Sequence, residues 1–236
     1  MQSSINSETA YVLHKRPYRE TSLLVDFFSL EHGRISAIWR AARGAKRRVS
    51  SEPFNSLHIG CIGRKELKTL TRVEAKATPT SLLKGKNLYT GLYVNELLYR
   101  LLAPYDAHED IFLAYEQMLE VLCMERNVEP HLRHFELNLL AALGYGISFD
   151  VEADDESPIS SNHTYRFVAG EGFHRQTGTS SSRIPGAAVH AIATGDWQAP
   201  EVLHSLKIIT QTALNAQLNG LAPRSREYFR SRKRSQ

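Results

Sequence analysis

Short runs of alternating apolar and polar residues occupy the first 80 positions of the chain. In the clearest run, Ile35, Ala37 and Trp39 take every second position, which is the period-two pattern of a half-buried β-strand. Five such strands are predicted, over residues 11–15, 21–30, 33–40, 57–63 and 67–75. Because turn residues separate them, these short strands favour a small antiparallel barrel or sandwich.

The period of the apolar positions changes from two to 3.6 after residue 81. The first helical stripe, which Pro104 ends, consists of Leu88, Leu92, Asn95, Leu98 and Leu102. Further helices are predicted over residues 111–122, from Pro130 to a stop at Gly144, over 184–193 and over 200–218. Strands followed by helices give an α+β fold class.

Residues 150–186 interrupt the helical pattern. They are rich in serine and acidic residues, and they contain one predicted hairpin, with strands at 164–168 and 172–175. The sequence therefore predicts four parts: a barrel at 1–80, a helical part at 81–149, an irregular insert at 150–186, and a second helical part with a basic tail at 187–236.

The net charge of +4 over 236 residues is distributed unevenly. Residues 1–80 carry 14 Lys and Arg against 7 Asp and Glu, and residues 221–236 carry 6 against 1. Residues 81–150 carry 5 against 10, and residues 151–220 carry 4 against 7. A basic front and a basic tail around an acidic middle predict a polyanion-binding domain joined to a part with another role.

A cationic loop follows the third predicted strand. Five basic residues within nine positions, 40–48, repel one another unless a polyanion lies across them, and the five-stranded OB barrel is a common fold of this size that binds nucleic acid. The alternative is a solvated surface loop. The candidate DNA-binding residues are Arg34, Arg40, Arg43, Lys46, Arg47, Arg48, Lys68 and Arg72, all expected to be exposed charges of the barrel.

Two aromatic residues of the barrel are candidate platforms for base stacking, Trp39 and Phe28. Trp39 shares the face of Ile35 and Ala37, which favours the core for its side chain. Phe28 is equally consistent with the surface and the core.

No catalytic centre, metal site or cofactor is predicted. The chain contains no phosphate-binding glycine loop and no hydrolase nucleophile motif. His131 and His134 lack a third ligand at a known spacing, so they are expected to be ordinary surface or core histidines. The acidic run 154–156 lies in a predicted loop and is expected to be solvated. A metal-dependent nuclease and an RNA-binding barrel protein remain the alternatives.

The composition favours the cytoplasm. The two cysteines, Cys61 and Cys123, belong to no C-x-x-C pair, which agrees with a reducing compartment. Neither a secretory signal nor an apolar stretch of membrane-spanning length is expected.

Five fragments of the chain, in order and with matching spacing, resemble the RecO family of bacterial recombination mediators. They are LHKRPYRETS at 13–22, Gly33-Arg34, LYTGLYVNELL at 88–98, LRHFEL at 132–137 with Leu143-Gly144-Tyr145, and SREYFR at 225–230. Each fragment alone is weak, and together they cover nearly the whole chain.

The resemblance implies an N-terminal OB-fold barrel and a helical domain that contains a small insert. It also implies a nucleoid-associated protein without enzymatic activity that binds single- and double-stranded DNA and anneals complementary strands without ATP. The implied partners are RecR, the C-terminal tail of single-strand binding protein and, indirectly, RecA, with no membrane.

The sequence departs from the family pattern in two places. Many members carry four zinc-binding cysteines in the insert, whereas residues 150–186 contain none, so no zinc is expected. Arg40-Ala41 stands where many members have Lys-Gly, which keeps the charge but replaces a glycine by Ala41.

A second candidate site lies in the helical part. The tail of single-strand binding protein is acidic and ends in an apolar residue, so its receptor needs an apolar pocket beside a basic side chain. In RecO-like proteins this contact lies in the helical domain, which makes Leu132, Arg133, Phe135 and Leu139 the predicted partner-binding residues. The alternative for Arg133 is a position on an ordinary solvated helix face.

Overall fold

The computed structural model describes residues 3–43, 49–76, 83–124, 127–177 and 183–227. The chain forms two compact units, one comprising residues 1–126 and 223–236 and the other residues 127–222. The first unit therefore contains the barrel together with the first two helices. The four-part division of the sequence follows local pattern rather than packing, and it stays a prediction.

A closed barrel of five strands forms the core of the first unit, with the order β1-β2-β3-β5-β4. The strands are β1 (Ser3–Tyr18), β2 (Ser22–Ser29), β3 (Gly33–Trp39), β4 (Ser56–Gly63) and β5 (Leu67–Ala75). β3 and β5 pair in parallel, and the other neighbours are antiparallel. Alternate residues such as Val25, Phe27 and Ile35 fill the interior and are fully buried. The predicted OB-fold barrel and the α+β class are confirmed.

The first strand is longer than the sequence predicts, because it starts at Ser3 rather than at residue 11. Its first half pairs with β4 and its second half with β2. A register shift between Val12 and His14 marks a β-bulge in the pairing with β2. β1 thus closes the barrel by pairing with β4 on one edge and with β2 on the other, and it is irregular where the pairing changes.

Two helices of the first unit, α1 (Gly85–Leu101) and α2 (Glu109–Met124), pack on the barrel at this bulge. The side chain of Asn95 donates to the carbonyl oxygens of Val12 and Leu13 at 3.3 and 3.0 Å, and it accepts a hydrogen bond from Tyr115 Oη at 2.7 Å. Burial raises the pKa of Tyr115 well above its usual value, so the hydroxyl stays a donor. Asn95 therefore satisfies carbonyls at an irregular point of β1.

Glu96 on α1 anchors the chain where it returns to the first unit. Its carboxylate accepts hydrogen bonds from the backbone N–H groups of Arg224 and Ser225, both at 2.9 Å, and from the Ser225 hydroxyl at 2.7 Å. Burial alone raises the pKa of the Glu96 carboxyl, but these hydrogen bonds and one from Arg100 outweigh it and lower the pKa. The ionised carboxylate thus holds residues 224–225 on α1.

The second unit combines three helices and a small sheet. The helices are α3 (Val128–Ala142), α4 (Gly186–Ala193) and α5 (Pro200–Gln217), and the strands are β6 (Thr164–Val168), β7 (Gly172–Arg175) and β8 (Ile184–Pro185) in the order β7-β6-β8. The predicted hairpin is confirmed, and Gly144, at φ +83°, follows α3 as predicted. The helix predicted from residue 184 starts two residues later, because Ile184 and Pro185 form β8. No helix in the described ranges has the length and apolar character needed to cross a membrane.

An aromatic cluster and a buried carboxylate hold the cysteine-free insert together. The ring of Phe173 lies 5.2 to 6.4 Å from those of Phe167 and Tyr165. Glu152, 3% exposed, accepts hydrogen bonds from Tyr165 Oη at 2.8 Å and from Arg175 Nη2 at 2.7 Å. The hydrogen bond from Arg175 holds the pKa of Glu152 below its usual value. Hydrophobic packing around a charge-paired carboxylate stabilises this module.

Candidate nucleic-acid interface

The segment after β3 folds back against the turn between β1 and β2. The backbone N–H of Arg43 donates to the carbonyl of Thr21 at 3.0 Å, and its Nη1 donates to the carbonyl of Glu20 at 3.2 Å. The neighbouring Ala42 is buried in the barrel core. Residues 40–43 therefore lie at one end of the barrel, beside residues 19–21.

The strand register brings further basic residues to the same end. Arg16 pairs with Leu24, and Leu24 pairs with Ile38, so these three side chains lie on one face of the sheet. Arg40 directly follows Trp39, whose partner across the sheet is Leu23. β2 lies between β1 and β3, so Arg16 and Arg40 extend from the two strands that flank it, at the same end of the barrel.

We call Arg16, Arg19, Arg40 and Arg43 the cationic end of the barrel. All four residues are exposed. Within the described ranges no carboxylate lies at ion-pairing distance from any of them. Four like charges without paired carboxylates form a surface that attracts polyanions, and phosphate backbones are the commonest of these.

Arg16 and Arg19 are the residues that sequence reasoning missed. They belong to the strand and turn at 13–22, where the local pattern predicts only a connection broken by Pro17. β1 in fact continues to Tyr18, and the tight turn that follows places Arg19 next to the 40–43 segment. The pairing of β2 with both β1 and β3 brings these arginines to one end of the barrel, and no spacing in the sequence specifies this pairing.

The backbone at Ala41 retains the conformation that the family's glycine would adopt freely. Its φ of 52° lies in the left-handed region, which costs an L-residue about 1 kcal/mol or more. Replacing Ala41 by glycine is therefore expected to raise the free energy of unfolding by about 0.5–1 kcal/mol, measured by urea denaturation.

Ala42→Gly is the matched control for this substitution. Ala42 is 4% exposed and has no positive φ, so its glycine variant is expected to lose about 1 kcal/mol through the missing core methyl and the freer unfolded chain. A loss of stability in both variants would show that Ala41 does not adopt the left-handed conformation.

Two of the predicted DNA-binding residues, Arg34 and Arg72, have side-chain partners within the first unit. Arg34 Nε donates to the carbonyl of Leu102 at 3.0 Å, with its guanidinium 5.4 Å from the ring of Tyr99. Arg72 pairs with Glu74 at 2.8 Å. A role in DNA binding for these side chains stays a prediction, and the structure assigns Arg34 a contact between the barrel and α1.

Lys68 corrects the expectation that all predicted cations are exposed. It is 5% exposed, its Nζ donates to the carbonyl of Gly63 at 2.9 Å, and the ammonium lies 5.2 Å from the ring of Tyr105. The aliphatic stem of a lysine is readily buried when its ammonium finds acceptors of this kind. Lys46, Arg47 and Arg48 lie outside the described residues, so the predicted set as a whole stays a prediction.

The two aromatic candidates both belong to the core. Trp39 packs against the barrel interior, as its face predicts. Phe28 is fully buried, with its ring 5.4 Å from that of Phe112 and 6.1 Å from that of Tyr115. A stacking role for Phe28 is therefore wrong, because α2 covers its face of the sheet.

The predicted partner-binding residues lie on α3 in the second unit, and all four are buried. Arg133 is 4% exposed; its Nη1 donates to Glu136 Oε2 at 2.6 Å and to Thr210 Oγ1 at 3.3 Å. The alternative of a solvated helix face for Arg133 is wrong. Partner binding here stays a prediction, and the guanidinium already has a carboxylate partner within the unit.

In the part of the chain that the structure describes, neither the α3 histidines nor the acidic run of the insert belongs to a metal cluster. His131 and His134 are exposed, and Asp154 contacts His174 Nδ1 at 2.8 Å. Among the residues that the structure describes, no three His, Cys, Asp or Glu side chains are arranged to hold a metal ion.

Comparison with known proteins gives matches over almost the whole chain. Residues 1–79 match the family model "Recombination protein O N terminal", and residues 83–227 match "Recombination protein O C terminal". The "DNA repair protein RecO" of Stutzerimonas stutzeri is 42% identical over 228 residues, covering 97% of this chain and 95% of the relative. The protein of the same name from Pseudomonas aeruginosa is 41% identical over 229 residues, covering 97% of each chain. That from Pseudoalteromonas atlantica is 42% identical over 223 residues, covering 93% and 92%.

Proposed function

Since this chain belongs to the RecO family of DNA repair and recombination proteins, we propose that it binds single- and double-stranded DNA through the cationic end of its barrel and anneals complementary strands without ATP. The observation that carries this proposal is the set of exposed arginines, Arg16, Arg19, Arg40 and Arg43, that lack a carboxylate partner within the described ranges. Phosphate neutralisation by such side chains does not depend on base sequence.

Annealing follows from the same electrostatics. Two complementary strands repel each other through their phosphates, and a cationic surface that contacts both reduces this repulsion. Base pairing then supplies the driving force, so no nucleotide hydrolysis is needed. The barrel acts as a shared counterion for the two strands.

The partners are part of the proposal. With RecR, the protein would help RecA to replace single-strand binding protein on DNA. The acidic tail of single-strand binding protein would dock on α3 near Arg133. The apolar residues around a buried guanidinium have the chemistry that such a tail requires. An incoming carboxylate would have to compete with Glu136, which pairs with Arg133 at 2.6 Å.

The triple variant Arg16→Ala, Arg40→Ala, Arg43→Ala tests the proposed DNA site. Its affinity for single-stranded DNA at about 150 mM salt is expected to fall roughly 10- to 50-fold. The slope of log affinity against log salt is expected to be shallower by about 2, because each arginine that neutralises a phosphate contributes about 0.7 to that slope. Annealing of complementary strands without ATP is expected to slow accordingly. Fluorescence anisotropy measures the affinity, and quenching of a paired dye reports annealing.

The matched control replaces three exposed basic residues of the second unit, Arg166, Arg183 and Lys207, by alanine. It changes the net charge by the same amount and is expected to bind and anneal almost as the wild-type protein does. Equal losses in both variants would mean that net charge rather than the cationic end carries binding. Tighter binding of RNA than of DNA of the same length would favour the RNA-binding alternative.

A further inference from the structure

Tyr18 is a partly exposed aromatic residue at the end of β1. Among the described residues of β1 to β5, the other aromatic side chains are buried or packed on the core, namely Tyr11, Phe27, Phe28 and Trp39. Tyr18 is only partly buried, and it ends β1 between Arg16 and Arg19. Resting on the proposed function, we propose that Tyr18 and Arg19 form a subsite for an unpaired nucleobase.

The strand register indicates which side chains lie on the same face of the sheet as Tyr18. Tyr18 pairs with Ser22, and Arg16 pairs with Leu24, so Tyr18 and Arg16 project from the same face of the sheet. Leu24 pairs in turn with Ile38, which is only half-buried. Because Leu24 is only 8% exposed, Ile38 supplies the accessible apolar surface of this row of side chains, and Arg16 lies at the other end of the row.

The chemistry of the tyrosine and its neighbour suits a base. The guanidinium carbon of Arg19 lies 5.3 Å from the centroid of the Tyr18 ring, a cation–π distance. Aromatic rings and guanidinium planes both stack on nucleobases, and they accept every base because each has a π-face. The two groups are therefore already in contact before a base binds.

This subsite distinguishes single strands from duplexes. The cationic end attracts phosphates of both forms, whereas stacking on Tyr18 requires a base that is not already stacked in a helix. Pairing of two strands removes the base from Tyr18 and leaves only the phosphate contacts. The product of annealing is therefore held less tightly than its substrates, which favours release of the duplex.

The test compares Tyr18→Leu with Tyr18→Phe, which keeps the ring. Three probes are used: an oligothymidine of about 16 nucleotides, a duplex of the same length, and an abasic strand of that length. Tyr18→Leu is expected to bind oligothymidine about tenfold more weakly than the wild-type protein, with duplex and abasic affinities within about twofold and an unchanged salt slope. Tyr18→Phe is expected to match the wild-type protein on all three probes.

The outcomes separate this inference from the proposed function. Wild-type protein that bound no DNA, or bound it without salt dependence, would overturn the proposed function. Salt-dependent wild-type binding with an unchanged Tyr18→Leu variant, or with equal losses on all three probes, would overturn the base subsite alone. Photocrosslinking of iododeoxyuridine DNA to the peptide that contains Tyr18, lost in Tyr18→Leu, would support the subsite by a readout independent of affinity.

Discussion

Replacing Arg133 by alanine is expected to lower the free energy of unfolding by about 3–5 kcal/mol. Glu136 is fully buried, and the guanidinium of Arg133 is its ion-pair partner at 2.6 Å. Without that guanidinium the buried carboxylate loses its charged partner, whereas the hydroxyl of Thr210, at 2.5 Å, is a neutral donor. A neutral hydroxyl does not offset the desolvation of a charge as a guanidinium does. Urea denaturation followed by circular dichroism measures the loss.

The double variant Arg133→Met, Glu136→Leu is the matched control. It removes both charges and keeps much of the side-chain volume, so its stability is expected to lie within about 1–2 kcal/mol of the wild-type value. A double variant as unstable as Arg133→Ala would mean that packing of the arginine stem, rather than the loss of the charged partner of Glu136, sets the cost.

The same pair of variants gives a clean test of the predicted partner site. Loss of partner binding in Arg133→Ala would be ambiguous, because that variant is expected to be destabilised. The double variant keeps the fold but lacks the guanidinium. If it binds an acidic peptide with a free C-terminal carboxylate as tightly as the wild-type protein does, Arg133 is not the receptor residue.

Local periodicity predicts most of the barrel because each strand has one face in the interior. Ile35 and Ala37, for instance, alternate with half-buried neighbours, and both are fully buried. The first half of β1 has no such pattern, since residues 3–9 are polar except for Ile5. Hydrogen bonding to β4 makes that segment a strand, and a sequence pattern does not show pairing between distant segments.

The candidate site is predicted less completely for the same reason. The charges after β3 are visible in the sequence, but their proximity to Arg16 and Arg19 depends on the β1–β2–β3 register. Phe28 alternates as a surface residue would, and only the packing of α2 buries it. The residues that bind a ligand are thus decided by tertiary contacts that the local pattern leaves open.

The close approach of the Gly33 backbone to that of Asp106 is a tertiary contact of this kind. Its disruption is expected to lower the free energy of unfolding strongly. Gly33 begins β3 at φ +64°, and a Cβ atom there would lie 1.8 Å from the carbonyl oxygen of Asp106. The segment of Asp106 is held on β3 by a hydrogen bond from the Tyr105 N–H to the Arg34 carbonyl at 3.0 Å. An added methyl group must therefore push one backbone away from the other.

Gly33→Ala is expected to lower the free energy of unfolding by about 4 kcal/mol. Backbone strain at positive φ accounts for about 1–2 kcal/mol, and overpacking with a weakened Tyr105–Arg34 hydrogen bond accounts for the rest. Gly170→Ala separates the two contributions, because Gly170 has φ +83° and a Cβ atom added there would meet nothing within 4 Å. That control is expected to cost only the strain, about 1–2 kcal/mol.

Urea denaturation gives the two free energies, and hydrogen exchange locates the change. Faster exchange at the Tyr105 amide in Gly33→Ala, but not in Gly170→Ala, is expected because the hydrogen bond to Arg34 depends on the close approach at Gly33. The contact lies at the join between β3 and α1, since the next residue, Arg34, donates to the carbonyl of Leu102 at the end of α1. Equal losses of unfolding free energy in the two glycine variants would show that the backbone at Asp106 moves away without further loss. The contact between β3 and α1 would then depend on the Arg34 hydrogen bond rather than on the close approach of the two backbones.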